Sequence, residues 1–487
     1  MTDRTKPTRL SAGAALAVLV ACVVGGPAVA AAQAPDGQAP TTAATTVTLE
    51  EAIAEATGEH PNIARARADR RAAEAQRKQA RANFGPTLSA SAGIQFWNDE
   101  ITFSTSPGGD QVPQLPPPQT PYEEIIAGLF TQTEPTVVRD QITWDVALTI
   151  SQPLGPLYSI YHGYRATEFA EEAAEEQVDQ VSRDQAREAA VAYFRVLQAQ
   201  ALLETAQQSV EQLAAQVETV SVLVEAGATT SSQRMRIEVA LAAAEQEVIQ
   251  ARSRVRLAQS NLAVALGRNA QERVGANAVD ADTLPGVDGS PEDAVEAAIA
   301  NRPELRQLEL GIEAAQAGVK AEEGTYIPQL VAVGQYSHTE GQGLAGTDTA
   351  FVGLSLDWTL WQWGARYYAV DEAEAQVVSL EATQEQTSRQ IGLQAKMAWY
   401  DLESAVEAYG VAERAVAQAE EAYRVESVRY EAGKSTSTDL LDAQSALTEA
   451  RNNRNNALYQ ALIQHTELIY ATGRPVTADR LLRGGNR

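Results

Sequence analysis

Apolar positions recur along this chain at two different periods. Val196, Ala199, Leu203, Ala206, Val210, Leu213, Val217, Val220 and Val224 are spaced alternately three and four apart, as are Ile237, Leu241, Ala244, Val248, Ala251, Val255, Ala258, Leu262 and Ala265. Such heptad stripes predict long, supercoiled helices. Gly227 and the Ser231-Ser232 pair separate the two stripes, which predicts an antiparallel hairpin with Ser232 as N-cap of its second helix. Leu402, Ala405, Tyr409, Ala412, Val416, Ala419 and Tyr423 repeat the pattern, followed by a turn at Gly433 and Thr438 as cap. A helix from about 160 to 226 reaches ~100 Å at about 1.5 Å per residue, which a compact enzyme does not accommodate.

Four segments alternate at period two instead: 87–97, 142–151, 329–337 and 351–361. Trp144, Val146, Leu148 and Ile150 share one face of the second, and Thr143, Asp145, Ala147, Thr149 and Ser151 share the other. Val352, Leu354, Leu356, Trp358 and Leu360 line one face of the fourth. A half-buried strand of a soluble sheet fits any one segment equally well. Four such segments of about ten residues, with Trp near their ends, favour outer-membrane strands. Four strands cannot close a barrel, since the smallest need about eight, so several chains must contribute.

The segments are also duplicated. Residues 48–63 (TLEEAIAEATGEHPNI) match 290–305 (SPEDAVEAAIANRPEL), and 83–88 match 325–330, at a shift of 242. From about Val146 the shift becomes 206: 192–196 (AYFRV) matches 398–402 (AWYDL), and Leu266-Gly267-Arg268 matches Thr472-Gly473-Arg474. The difference of 36 residues is an insertion in the first copy, where STSPGGDQVPQLPPPQTPYEE reads as an exposed loop. The expected organisation is a signal peptide (1–30), an N-terminal linker (31–47), a first repeat (48–268) with an inserted extracellular loop (99–141), a linker (269–289), a second repeat (290–474) and a C-terminal tail (475–487).

Composition narrows the function. Aromatic residues make up only 6% of the chain and much of the apolar content is alanine, which suits layered helices better than one thick core. The net charge of −26 disfavours nucleic acid as a partner. Arg4, Lys6 and Arg9 precede an apolar run from Leu10 to Val24 and a small-residue Ala28-Val29-Ala30 site, the pattern of a secretory signal. Cys22, the only cysteine, lies inside it, so no Cys metal site or intramolecular disulfide is expected. Leu19-Val20-Ala21-Cys22 looks like a lipidation site, but the apolar run continues past it and ordinary cleavage near Ala30 is favoured. No later run of 18 apolar residues follows, so no spanning helix is expected. Four scattered histidines (His60, His162, His338, His465) form no cluster at ligand spacing, and no phosphate loop or nucleophile elbow is present; neither catalysis nor a metal or cofactor is expected.

His60-Pro61 and Arg302-Pro303, Phe84 to Pro86 and Tyr326 to Pro328, and the run RYEAG followed by DLLDAQ stand in the order found in the TolC family of outer-membrane efflux channels, which the chain resembles over essentially its whole mature length. The resemblance implies a mostly α fold with a β-barrel part: a homotrimer with a twelve-stranded outer-membrane barrel, four strands per chain, on a twelve-helix periplasmic α-barrel. It implies a channel for passive export across the periplasm and outer membrane in a tripartite efflux or type I secretion system, with a periplasmic adaptor protein and an inner-membrane transporter as partners, besides outer-membrane lipid. By the same resemblance Asp439 and Asp442 constrict the periplasmic entrance, with Tyr430 as an aromatic that helps latch it. The turn residues Ala226, Gly227, Ala432 and Gly433 form tips that meet the adaptor.

Residue chemistry supports part of this. A spacing of three puts both carboxylates on one helix face, and threefold symmetry would gather their charges at the axis. The first copy carries Gln233 and Arg236 at the matching positions, so helix capping alone does not explain the acidic pair. Gln233 and Ser435 stand where many relatives carry a further Asp and a latch Arg, which leaves the lock undefined. Glu168, Glu172, Glu175 and Asp179 form an acidic stripe that reads equally as a solvated face or a tunnel lining. The rival reading is a periplasmic adaptor or coiled-coil scaffold, but such adaptors carry one helical hairpin, and this chain has two, each preceded by a strand pair.

Overall fold

The computed structural model describes residues 45–103, 120, 122, 136–279, 286–287, 289–342 and 347–482. The expected signal peptide, Cys22 and the tip of the insertion lie outside the described residues. Each repeat opens with two short helices whose starts are chemically specified. In α1 (Leu49–Gly58) Thr48 and Glu51 form a reciprocal capping box, and Ser290 and Asp293 do the same for α5 (Pro291–Asn301). α2 (Pro61–Ala82) and α6 (Pro303–Glu323) both begin on proline, whose missing N–H costs nothing at that position. His60 caps α2, its Nδ1 accepting from the Asn62 amide at 3.2 Å.

The helices lead into an antiparallel sheet of order β2-β5-β7-β8, made of β2 (Thr87–Phe96), β5 (Ile142–Pro153), β7 (Gln329–Glu340) and β8 (Asp348–Asp357). The register sets Ala90, Leu148 and Tyr336 side by side, and Leu330 beside Leu356, so one face carries the apolar set across all four strands. That face is bare: Val352 is 91% exposed and Leu354 70%. The fourth strand stops at Asp357 rather than 361. Trp358, Leu360, Trp361 and Trp363 stay exposed beyond it, and positive φ at Trp363 (51°) and Gly364 (82°) turns the chain into the next helix. The insertion, expected as open loop over 99–141, begins and ends as a ribbon in which β3 (Ile101–Phe103) pairs with β4 (Thr136–Arg139).

From the sheet run α3 (Leu157–Glu225, 69 residues) and α7 (Ala365–Glu431, 67 residues), each folding back into a helix of 35 residues, α4 (Ser231–Ala265) and α8 (Ser437–Ala471). The caps differ from expectation. Thr230, not Ser232, is the N-cap of α4 and makes no side-chain cap bond; Thr436, not Thr438, caps α8 in a full capping box with Asp439. The physical reason is that each turn closes two residues earlier, which leaves Ser232 and Thr438 already inside the helix. Near the sheet the helices lie in the order α2-α3-α6-α7, and further away in the order α4-α3-α8-α7.

Between these tiers sits the main core. Tyr193 and Phe194 of α3, Leu262 of α4 and Leu462 of α8 close around α1 residues Leu49 and Ile53. Part of each expected linker is a strand: residues 45–47 of the first and 274–276 of the second. β1 (Thr45–Val47) pairs in parallel with β6 (Val274–Ala276), and both are drawn into this core through Val47 and Val274. The expected tail contributes α9 (Ala478–Leu482), which anchors Leu481 at 1% exposure. Alternation of three or four apolar residues was too short a signal to separate these strands from loop.

Candidate functional site at the hairpin tips

Both hairpins end in the same turn. Gly227 (φ 70°) and Gly433 (φ 67°) take the left-handed conformation, and the amides that follow reach back to close it: Ala228 to the Leu223 carbonyl and Lys434 to the Arg429 carbonyl, each at 2.8 Å. A side chain at either glycine would meet open space. Ala226, Gly227, Ala432 and Gly433 are all exposed. The four tip residues therefore present a small, flat, polar-backbone surface on each hairpin.

Just behind the tips the two hairpins meet. Tyr430 is buried at 5% exposure in a cluster with Leu213 and Val220 of α3, Ile237 of α4 and Leu440 of α8, to which all four helices contribute. Its hydroxyl finds no partner among the described residues, and burial pushes its pKa up. Asp439 and Asp442 lie exposed on the other side of α8. Asp439 is the third residue of the helix; its carboxylate accepts from the Thr436 hydroxyl at 2.7 Å and the Thr436 amide at 3.1 Å, which holds its pKa below the usual carboxylate range. Asp442 lines an open cleft between α4 and α8 with Ser232, Met235, Arg236, Val239 and Thr438.

Several polar links between the hairpins escaped the sequence reading. The Arg236 guanidinium donates to the Thr438 hydroxyl at 2.9 Å across the cleft. Deeper in, the Gln444 amide donates to Gln212 at 2.7 Å, the Gln216 amide to the Tyr423 hydroxyl at 2.8 Å, and Asn455 to the Thr205 hydroxyl at 3.1 Å. The available signal was Gln444 itself. It sits at heptad spacing between Leu440 and Leu447 and is 3% exposed, and a buried amide in an apolar stripe needs a partner. The acidic stripe has also acquired partners. Arg70 of α2 lies 3.6 Å from Glu175, and Arg183 lies 2.7 Å from Asp179. Part of the stripe therefore fastens α2 to α3.

Among the described residues, no helix is long and apolar enough to cross a membrane. The bare apolar face of the sheet is the surface with membrane chemistry, and the hairpin tips are far from it on α3, which spans about 100 Å. Known proteins share this architecture. A curated relative, the outer membrane efflux protein BepC of Brucella suis, is 22% identical over 82% of the chain and 84% of its own length. The Campylobacter jejuni CmeC outer membrane channel superposes with a TM-score of 0.70 at 15% identity, over 87% of this chain and 85% of its own. The open state of the Neisseria gonorrhoeae MtrE outer membrane channel gives 0.68 at 18% identity, over 88% and 89%. The pattern of the outer membrane efflux proteins matches residues 52–268 and 294–474, which are the two repeats, and the chain belongs to that family.

Proposed function

We propose that this chain is one third of a homotrimeric conduit, in which a twelve-stranded barrel crosses the outer membrane and a twelve-helix tunnel extends through the periplasm. That it is an outer-membrane efflux channel follows from its family. The observation that supports the assembly is the sequence of open edges. The sheet ends in β2 and β8, the upper tier in α2 and α7, and the lower tier in α4 and α7, and among the described residues none of these ends is continued sideways by a further strand or long helix. An unpaired strand edge beside an exposed apolar face is unstable in lipid, where every backbone group needs a partner. Joining β8 of one copy to β2 of the next removes both edges, and repetition closes a ring. The lower edges carry matching apolar residues: Met235, Val239 and Ile249 are exposed on α4, and Met397, Val411 and Val428 on α7.

In such a ring the α8 starts converge. Asp439 and Asp442 of three copies form the charged constriction at the periplasmic entrance, attractive to cations and resistant to anions. Tyr430, packed where all four tip helices meet, couples the position of the inner hairpin to the outer one. Ala226, Gly227, Ala432 and Gly433 form the surface that a periplasmic adaptor protein contacts. Transport itself is passive, and an inner-membrane transporter supplies the energy.

Single-channel conductance in planar bilayers tests the constriction. Replacing Asp439 and Asp442 together by Ala should raise conductance and abolish block by divalent cations. Unchanged conductance and block would remove the pair from the entrance.

A further inference from the structure

The chain is strongly acidic, yet α2 carries seven basic and two acidic residues. The facing part of the other open edge, residues 365–389 of α7, carries five acidic and two basic residues. Among the described residues these are the two end helices of the tier below the sheet; α5 packs across α7 at Gly392 and Ala395, just beyond this segment. Their opposite charge is carried by particular positions. On α2, Ile63 and Ala66 are buried against α3 and Arg77 pairs with Glu171. At about 100° per residue, Arg67, Arg71 and Lys78 fall roughly a quarter turn clockwise from that face, seen from the N-terminus. On α7, Leu380 and Ile391 face the chain's own helices, and Glu374, Glu381 and Glu385 fall about a quarter turn clockwise in the same sense.

α2 runs towards the sheet and α7 away from it, since β2 follows the one and β8 precedes the other. Two antiparallel helices at opposite ends of one row, each with a flank clockwise of its inner face, present those flanks on the same side of the wall when the row closes. The order also agrees. Lys78, nearest the sheet of the three on α2, lies towards the Glu374 end of α7, and Arg67 towards the Glu385 end. Between the flanks, the outermost strips are slim: Ala64, Ala68 and Ala75 on α2, and Ala375 and Ala382 on α7, are all exposed. Helices with small residues at the contact approach closely, which brings flanking charges within reach. Among the described residues Arg67, Arg71, Glu374 and Glu381 make no ion pair, although Arg67 and Arg71 border an open groove with Glu175 and Asp179 of their own chain, and Glu381 and Glu385 one with Arg302 and Arg306. Lys78 pairs only with Glu74 on its own helix, at 2.6 Å, and Glu385 only with Arg389, at 2.5 Å.

We infer that the exposed edge of α2 docks on the α7 edge of a second copy of this chain, with the basic flank Arg67, Arg71 and Lys78 set against the acidic flank Glu374, Glu381 and Glu385. This rests on the ring assembly proposed above and adds what selects the partner and its register. The sheet edges above the joint are neutral backbone and do not discriminate one register strongly, and neither do the exposed apolar residues of the α4 and α7 edges below it, such as Val239 and Val411. The charged band does, because a displaced or inverted copy juxtaposes like charges.

The test uses the full-length mature protein in detergent, with the trimer fraction measured by mass photometry at low and high salt. Arg67→Glu with Arg71→Glu, and separately Glu374→Lys with Glu381→Lys, should each lower the trimer fraction at low salt by about tenfold. The protein carrying all four substitutions should recover the original fraction, which also shows that neither pair destroys the fold. Wild-type assembly should slow as salt rises. Full assembly of both double variants, or failure of the combined variant to recover, would overturn the charged joint while a trimeric wild type keeps the conduit. A wild type that forms no trimer would instead overturn the conduit reading.

Discussion

At Tyr430 a polar atom has been buried without a partner. The ring fills the space between Leu213, Val220, Ile237 and Leu440, and its hydroxyl adds desolvation cost with no hydrogen bond among the described residues. Shape, not polarity, is therefore what the monomer uses at this position. Tyr430→Phe should leave the thermal midpoint of the tip region unchanged or higher, whereas Tyr430→Ala should destabilise it by about 3 kcal/mol or more through the cavity it leaves. Hydrogen exchange resolved to the hairpin tips measures both; a Phe variant as damaged as the Ala variant would show that the hydroxyl is held by something outside the chain. Asp439 gives the opposite case, an exposed group that is fully engaged. Its pKa is depressed, first by the Thr436 hydroxyl and then by the Thr436 amide. A depressed carboxylate stabilises the folded state above its ordinary pKa, and that contribution is lost as pH falls through the folded value. Amides at the start of α8 should thus exchange faster, relative to their intrinsic rates, near pH 3 than at about pH 7. Asp439→Asn should flatten that dependence.

At the scale of elements, the long helices, the four sheet strands and the repeat were legible because each is written many times over. A heptad stripe of nine positions or an alternation of ten residues averages out local exceptions, and the second copy confirms the first. Caps were misplaced by two residues because Thr230, Ser231 and Ser232, or Thr436, Ser437 and Thr438, are all chemically competent, and only the turn geometry chooses among them. β1 and β6 were missed because three residues carry no period, and their pairing spans more than two hundred positions. The hairpin-to-hairpin amide links were missed because a glutamine in sequence does not name its partner. Gly227 and Gly433 were read correctly as helix stops. Their surroundings are empty, so the cost of Gly433→Ala is confined to the backbone, about 1 kcal/mol for an L-residue at positive φ. Denaturation of the Gly227→Ala and Gly433→Ala proteins should show equal, small losses; a much larger loss of transport than of stability would place that tip in a partner contact.

For the whole molecule, the duplication fixes the frame and the insertion is an addition to it. The four sheet strands pair in continuous register without any residue between Asp99 and Asp140, and the repeat without the insertion joins its own strands, β7 and β8, through a short connection. The β3–β4 ribbon continues beyond β2 and β5 as an antiparallel pair, with Phe103 opposite Thr136, so the two ends of the segment 104–135 already lie side by side. Closing such a gap with two residues is favourable where the turn accepts positive φ at both positions, which Asn-Gly does. Replacing residues 104–135 with Asn-Gly should therefore leave the proposed trimer assembled on an unheated gel and its melting midpoint within a few degrees of the original. If Asp439 and Asp442 form the constriction proposed above, the bilayer conductance should stay unchanged as well. If assembly failed, the segment would have to contribute to the strand edges that join the copies, and the joint would then extend past β2 and β8 to the outer surface. If assembly held but conductance rose, the segment would narrow the outer mouth in series with the entrance. The two outcomes are distinguishable in one preparation, because the gel reads the joint and the bilayer reads the pore.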